Sequence, residues 1–84
     1  MPEHPDVLQT IRTLIAQVSP APIADIRAES RLREDLGLDS VASMELLSLM
    51  DDRLGLVLEM EDVIGVTTVG AMVALANRHL EARA

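Results

Sequence analysis

The residues best placed for chemistry are Asp39 and Ser40, which follow Gly37-Leu38 and lead into an apolar-rich stretch beginning at Val41. Asp39 reads as an N-cap, because its carboxylate can accept hydrogen bonds from the free amides of a helix's first turn. Ser40 then opens the helix, with its hydroxyl at the loop–helix junction rather than in the core. A helix N-terminus carries unpaired amides and a partial positive charge, which suits a phosphate group attached there. No base lies near Ser40 in sequence: its neighbours are carboxylates and apolar residues, and the two histidines, His4 and His79, are far along the chain. A Ser–His–Asp triad needs three converging groups; sequence distance does not exclude one, but a small bundle with only two His counts against it, and the lack of a nearby base and of an expected cleft counts against an independent hydrolase. The hydroxyl therefore reads as a place where another protein attaches something.

The chain has no Cys, so disulfides and Cys-based metal or redox sites are excluded, and any thioester chemistry must use a sulfur that the chain does not encode. It also has no Phe, Tyr or Trp, which removes the stacking platforms of single-strand nucleic-acid binders. Net charge is −7 and every basic residue is Arg. That field repels phosphate backbones and anionic membranes and favours basic protein partners. The acids Glu34, Asp35, Asp39, Glu45, Asp51, Asp52, Glu59, Glu61 and Asp62 are opposed, within their own stretch, by Arg53 alone. They read either as a solvated face or as a docking face. Calcium-loop spacing and its Gly are missing, so no metal centre is expected. The N-terminal Met1-Pro2-Glu3-His4-Pro5 lacks the pattern of a signal peptide, and no apolar run reaches membrane-spanning length, so the expected setting is cytoplasmic.

Four helical segments must position Ser40. Val7, Ile11, Leu14, Ile15 and Val18 make one stripe on a helix over about 5–18, with Pro5 in its first turn and Pro20 stopping it. A long connection over about 19–38 follows; loops of this length are often functional. Several of Ile23, Ile26, Leu32, Leu36 and Leu38 are read as plugs that pin it, with a helical turn near 31–36. A second helix runs over about 40–54, with Leu46, Met50 and Leu54 toward the core, Val41 and Met44 off that row, and Gly55 at its exit. A short helix over about 59–64 ends at Gly65. Thr67 and Thr68 offer cap hydroxyls for a last helix over about 68–82, whose stripe is Val69, Met72, Val73, Ala76 and Leu80. The methionines at 44, 50, 60 and 72 are expected mainly as core filling, adaptable enough to admit an acyl chain. The expected architecture is an all-α bundle in one domain of 84 residues, with three main helices, one short helix and a long first loop.

The stretch Leu32-Arg33-Glu34-Asp35-Leu36-Gly37-Leu38-Asp39-Ser40-Val41 resembles the phosphopantetheine attachment site of acyl carrier proteins. The likeness continues through Met44-Glu45-Leu46 and Met50-Asp51-Asp52 to Gly65-Val66-Thr67-Thr68-Val69, so it covers nearly the whole chain. It implies a four-helix carrier bundle with no catalysis of its own and a covalent 4′-phosphopantetheine arm on Ser40, installed by a phosphopantetheinyl transferase that Asp39 helps to engage. The arm's thiol would supply the missing sulfur. Acyl groups would ride on it as thioesters, loaded by an acyl- or aminoacyl-loading ligase or transferase and used by a ketosynthase or similar enzyme. Val41, Met44, Glu45, Asp51, Asp52, Met60 and Glu61 would form the partner surface, Glu45 and Asp52 foremost. Relatives often carry a further acid where this chain has Ala42, and an acid where it has Arg53. Those departures tilt the expectation toward a discrete polyketide-type or other secondary-metabolite carrier over a fatty-acid one. An aminoacyl or peptidyl carrier is the nearest alternative, and an unmodified helical interaction domain is the alternative from another class. A monomer is expected.

Overall fold

Helix α1 spans Val7–Val18 in the computed structural model, which describes residues 6–83. Its start is set by Asp6, whose carboxylate accepts from the Gln9 amide at 3.2 Å, satisfying one of the donors that a helix's first turn leaves open. Pro5 and His4 lie outside the described residues. Val7, Ile11, Leu14 and Ile15 face the core, while Val18 is half-buried. Each such fully buried aliphatic contributes about 1.5–3 kcal/mol relative to exposure. The helix ends where the Ser19 amide donates to the Ile15 carbonyl at 2.9 Å and Pro20 follows.

The long connection is pinned at several points. Arg12 of α1 donates to the carbonyls of Ile26 and Ile23, across a single 3-10 turn at Ile23–Asp25. Ile26, Leu32, Leu36 and Leu38 are buried as expected, but Ile23 is exposed: the turn spends its backbone on Arg12 and leaves that side chain outside. Further along, the chain runs antiparallel to the residues that start the last helix. Leu32 donates to the Thr67 carbonyl at 2.8 Å, Val69 to Ser30 at 3.0 Å, and Gly70 to Ala28 at 2.7 Å, around an isolated bridge between Arg31 and Thr68.

Helix α2 spans Ser40–Leu54, α3 spans Met60–Val63 and α4 spans Val69–Arg83. Gly55 ends α2 with φ 66°, a left-handed conformation that glycine adopts without a Cβ clash. Leu46 and Met50 of α2 are buried, and Leu54 is half-buried against them. Between α2 and α3 the chain is extended and alternates, with Leu56 and Leu58 inward and Val57 and Glu59 outward. Asp62 then accepts from the Glu59 amide at 2.9 Å, closing the short α3. The Thr68 hydroxyl accepts from the Ala71 amide at 3.1 Å and caps α4. That helix buries Val69, Met72, Leu75 and Ala76; Val73 and Leu80, expected on the stripe, are half-buried, and Leu75 takes the core position.

α1 packs on both α2 and α4, so it is the central element of an all-α bundle with no strand among the described residues. Met50 and Met72 fill the core, whereas Met44 and Met60 are exposed. Core filling, expected as the main role of these methionines, holds for Met50 and Met72, while Met44, off the core row, and Met60 are exposed because α2 buries a narrow row and the brief α3 buries only Val63. Leu47 and Leu49 pack half-buried against the core. No helix among the described residues is long and apolar enough to cross a membrane.

Candidate functional site

Residues 31–36 form a helical turn closed by Asp35 and Leu36 amides donating to the Arg31 carbonyl, at 3.0 and 3.1 Å. The turn is braced from outside by Arg31 and Asp35. The guanidinium donates to both carboxylate oxygens at 3.0 and 3.2 Å, and the Arg31 amide donates to one of them at 2.8 Å. Hydrogen bonding from Arg31 holds the Asp35 carboxyl below the usual carboxylate range, and Asp35 in turn raises Arg31. Gly37, at φ 71°, then reverses the chain, a conformation that disfavours any side chain. The Ser19 hydroxyl donates to the Leu36 carbonyl at 2.6 Å, tying this turn to the end of α1.

Leu38 is buried and its amide donates to the Leu32 carbonyl at 2.9 Å. With Leu38 anchored inside, the next residue must emerge. Asp39 is extended, its carboxylate accepts from the Ala42 amide at 2.8 Å, and its carbonyl accepts from the Ser43 amide at 2.9 Å. Ser40 is the first helical residue and is exposed. Among the described residues no side chain hydrogen-bonds its hydroxyl, so no base is engaged there.

The expectation of no cleft is corrected here: Ser40 stands at the edge of one of about 430 Å³, built from three segments of the chain that meet only on folding. Its apolar wall is made by Leu32 and Leu38 from the first loop, Met60, Val63 and Ile64 around α3, and Val66. Its polar rim is Arg33, Glu34, Ser40, Ser43 and Thr67. A phosphate ester on the Ser40 oxygen fits this arrangement: the oxygen is open, the positive end of α2 lies beneath it, and an elongated group has a channel to follow.

The other residues singled out from the sequence lie on two flanks. Val41, at 67% exposure, and Met44, at 58%, stand in the open on α2, as do Asp51 and, on α3, Met60 and Glu61. Met60 shares the cleft with Ser40. Glu45 and Asp52 are brought together on the other flank, where with Gln17, Val18, Ser48 and Leu49 they line a shallow groove of about 390 Å³ between α2 and the end of α1. Arg33, Ser43, Ile64 and Thr67 escaped the sequence reading of the site. They converge only through the fold, although Ile64, an apolar residue just past the short acidic helix and 86% exposed here, was a signal available in the sequence. Among the described residues no cluster of three His, Asp or Glu side chains could hold a metal ion.

Residues 9–76 match the family model described as "Phosphopantetheine attachment site". The chain is 34% identical to "Acyl carrier protein 3" of Ralstonia nicotianae, over 95% of this chain and 92% of the relative. It is 33% identical to the "Acyl carrier protein" of Saccharopolyspora erythraea, over 87% and 77% respectively. It is 31% identical to that of Exiguobacterium sp., over 88% and 94%.

Proposed function

The chain belongs to the phosphopantetheine-attachment family of acyl carrier proteins, and we propose that Ser40 is the residue to which its arm is joined. Members of this family are non-catalytic carriers with covalently attached 4′-phosphopantetheine, whose terminal thiol holds acyl groups as thioesters. The observation that carries the assignment to Ser40 is its exposed, unbonded hydroxyl at the first position of α2, presented by a buried Leu38 and a capping Asp39. A phosphopantetheinyl transferase forms the bond from the Ser40 oxygen to phosphorus, breaks the pyrophosphate of coenzyme A, releases the nucleotide portion and accepts the hydroxyl proton. Asp39 both fixes the serine and offers that enzyme a carboxylate.

The remaining roles follow from surface chemistry. Met60 in the cleft, with Val41, Met44 and Asp51 exposed on α2 and Glu61 on α3, forms the contact surface, and Glu45 and Asp52 supply negative charge on the other flank. Loading ligases or transferases and ketosynthases with basic patches dock there, fast and in a salt-sensitive way. The protein works as one monomeric domain, in the cytoplasm with coenzyme A as donor of the arm. Ala42 supports a polyketide-type pathway over a fatty-acid one: a methyl stands there in place of a carboxylate, so the face carries one negative charge fewer. Arg53, exposed at the end of α2, subtracts from that charge.

Incubation with coenzyme A and a broad-specificity phosphopantetheinyl transferase tests the central assignment by intact mass. Wild type gains the mass of one arm and Ser40→Ala gains none. A gain on the variant, or none on the wild type, refutes Ser40 as the attachment point.

A further inference from the structure

We propose that Arg33 holds the phosphodiester carried at Ser40, pinning the root of the arm to the wall of the cleft. The inference rests on Ser40 being the point of attachment. The chain has seven arginines, and two of them have other duties among the described residues. Arg12 is bonded to two loop carbonyls and Arg31 to Asp35. Arg33 lies on the exposed side of the 31–36 turn, its side chain makes no hydrogen bond or ion pair among the described residues, and it is the one cation lining the cleft.

Charge explains why this position matters. The arm adds a negative phosphodiester to a chain already at −7, beside the Asp39 carboxylate and within a cleft that Glu34 also lines. Arg33 and Glu34 are not bridged to each other; the only ion pair among the described residues is Arg31–Asp35. The guanidinium is therefore available, and its planar fork matches two phosphate oxygens where an ammonium acts only as a point charge. Ser43, one turn along α2 from Ser40, lines the same cleft and offers a neutral donor there. Held at these points, the arm leaves Ser40 directed along the apolar wall of the cleft and away from Glu45 and Asp52.

The test uses the full chain loaded with its arm. The variants are Arg33→Gln, Arg33→Lys and, as a control on an exposed cation outside the cleft, Arg53→Gln. Loading is verified by intact mass, and the readouts are the 31P resonance of the phosphodiester and the arginine side-chain Nε–H signals. On loading, the Arg33 Nε–H signal of the wild type is expected to shift while that of Arg53 stays. The 31P resonance is expected to move in Arg33→Gln, to move less in Arg33→Lys and to hold in Arg53→Gln. A loaded wild type with an unmoved Arg33 signal, or a 31P shift indifferent to Arg33→Gln, overturns the contact while leaving Ser40 intact. A wild type that takes no arm overturns the Ser40 assignment and this inference with it. If Arg33→Gln resists loading, the Arg33 signal of the wild type decides.

Discussion

Replacing Asp39 with alanine removes the carboxylate that holds the Ala42 amide at 2.8 Å at the head of α2. Loss of an N-cap costs about 1 kcal/mol, within a range of about 0.5–2. Removing a negative charge from the positive end of the helix adds about 0.3 kcal/mol, the low end for a site as exposed as this one. The expected loss is therefore about 1.3 kcal/mol, from a stability of about 4–12 kcal/mol for a chain of this length. The melting temperature should fall by about 5–10 °C. Asp39→Asn keeps an oxygen to accept the Ala42 amide and sacrifices only the charge, so its loss is about 0.3 kcal/mol. Urea unfolding followed by far-ultraviolet circular dichroism measures both, since the chain lacks Trp and Tyr for fluorescence. The slope should hold while the midpoint moves. An alanine variant as stable as the wild type, or an asparagine variant as weak as alanine, refutes the capping argument. Loading rates measured on the same proteins separate the two roles of Asp39: a stable Asp39→Asn that loads slowly assigns the carboxylate to transferase recognition.

Gly70→Ala should destabilise by about 1 kcal/mol although alanine is the better helix former, because the new Cβ meets the Ala28 carbonyl oxygen at 3.1 Å, and that oxygen is bound to the Gly70 amide. Gly65→Ala, with nothing within 4 Å, is the urea-unfolding control and should be neutral or slightly stabilising. Asp35 is held below the usual carboxylate range by Arg31, so its contribution is present above the unfolded value and fades as pH falls through the lowered one. The midpoint difference between wild type and Asp35→Asn should then shrink on acidification below about pH 4, and a constant difference counts against the pairing. Reversing both Glu45 and Asp52 to lysine should slow association with a basic partner by about tenfold at low salt; stopped-flow rates unchanged by the reversal, or by salt in the wild type, contradict the docking role.

The elements whose apolar residues recur at helical spacing were legible in the sequence, and so was the junction at Ser40. Asp39, Thr68 and Gly55 each have side chains, or lack one, suited to a helix end. What the pattern concealed was settled by contacts between distant segments. Leu56 and Leu58 are buried by a two-residue alternation too brief to stand out beside the helices. Leu75 is buried while Val73 and Leu80 are half-buried, because α4 packs against α1 along the row that carries Val69, Met72, Leu75 and Ala76. Ile23 looked like a plug by composition, but Arg12 anchors that turn through its carbonyls, and a backbone acceptor leaves no trace in residue type. The cleft was hidden for a similar reason: Arg33, Ser43 and Thr67 come from three segments that only the folded chain assembles.

The bond from the Leu32 amide to the Thr67 carbonyl, at 2.8 Å, places the two ends of residues 33–66 side by side. That stretch holds the serine and most of the cleft's lining, and it departs from and returns to one spot beside the start of α4. Residues 33–66 therefore form one closed loop, and both ends of the serine's support are tied to a single hydrogen-bonded joint.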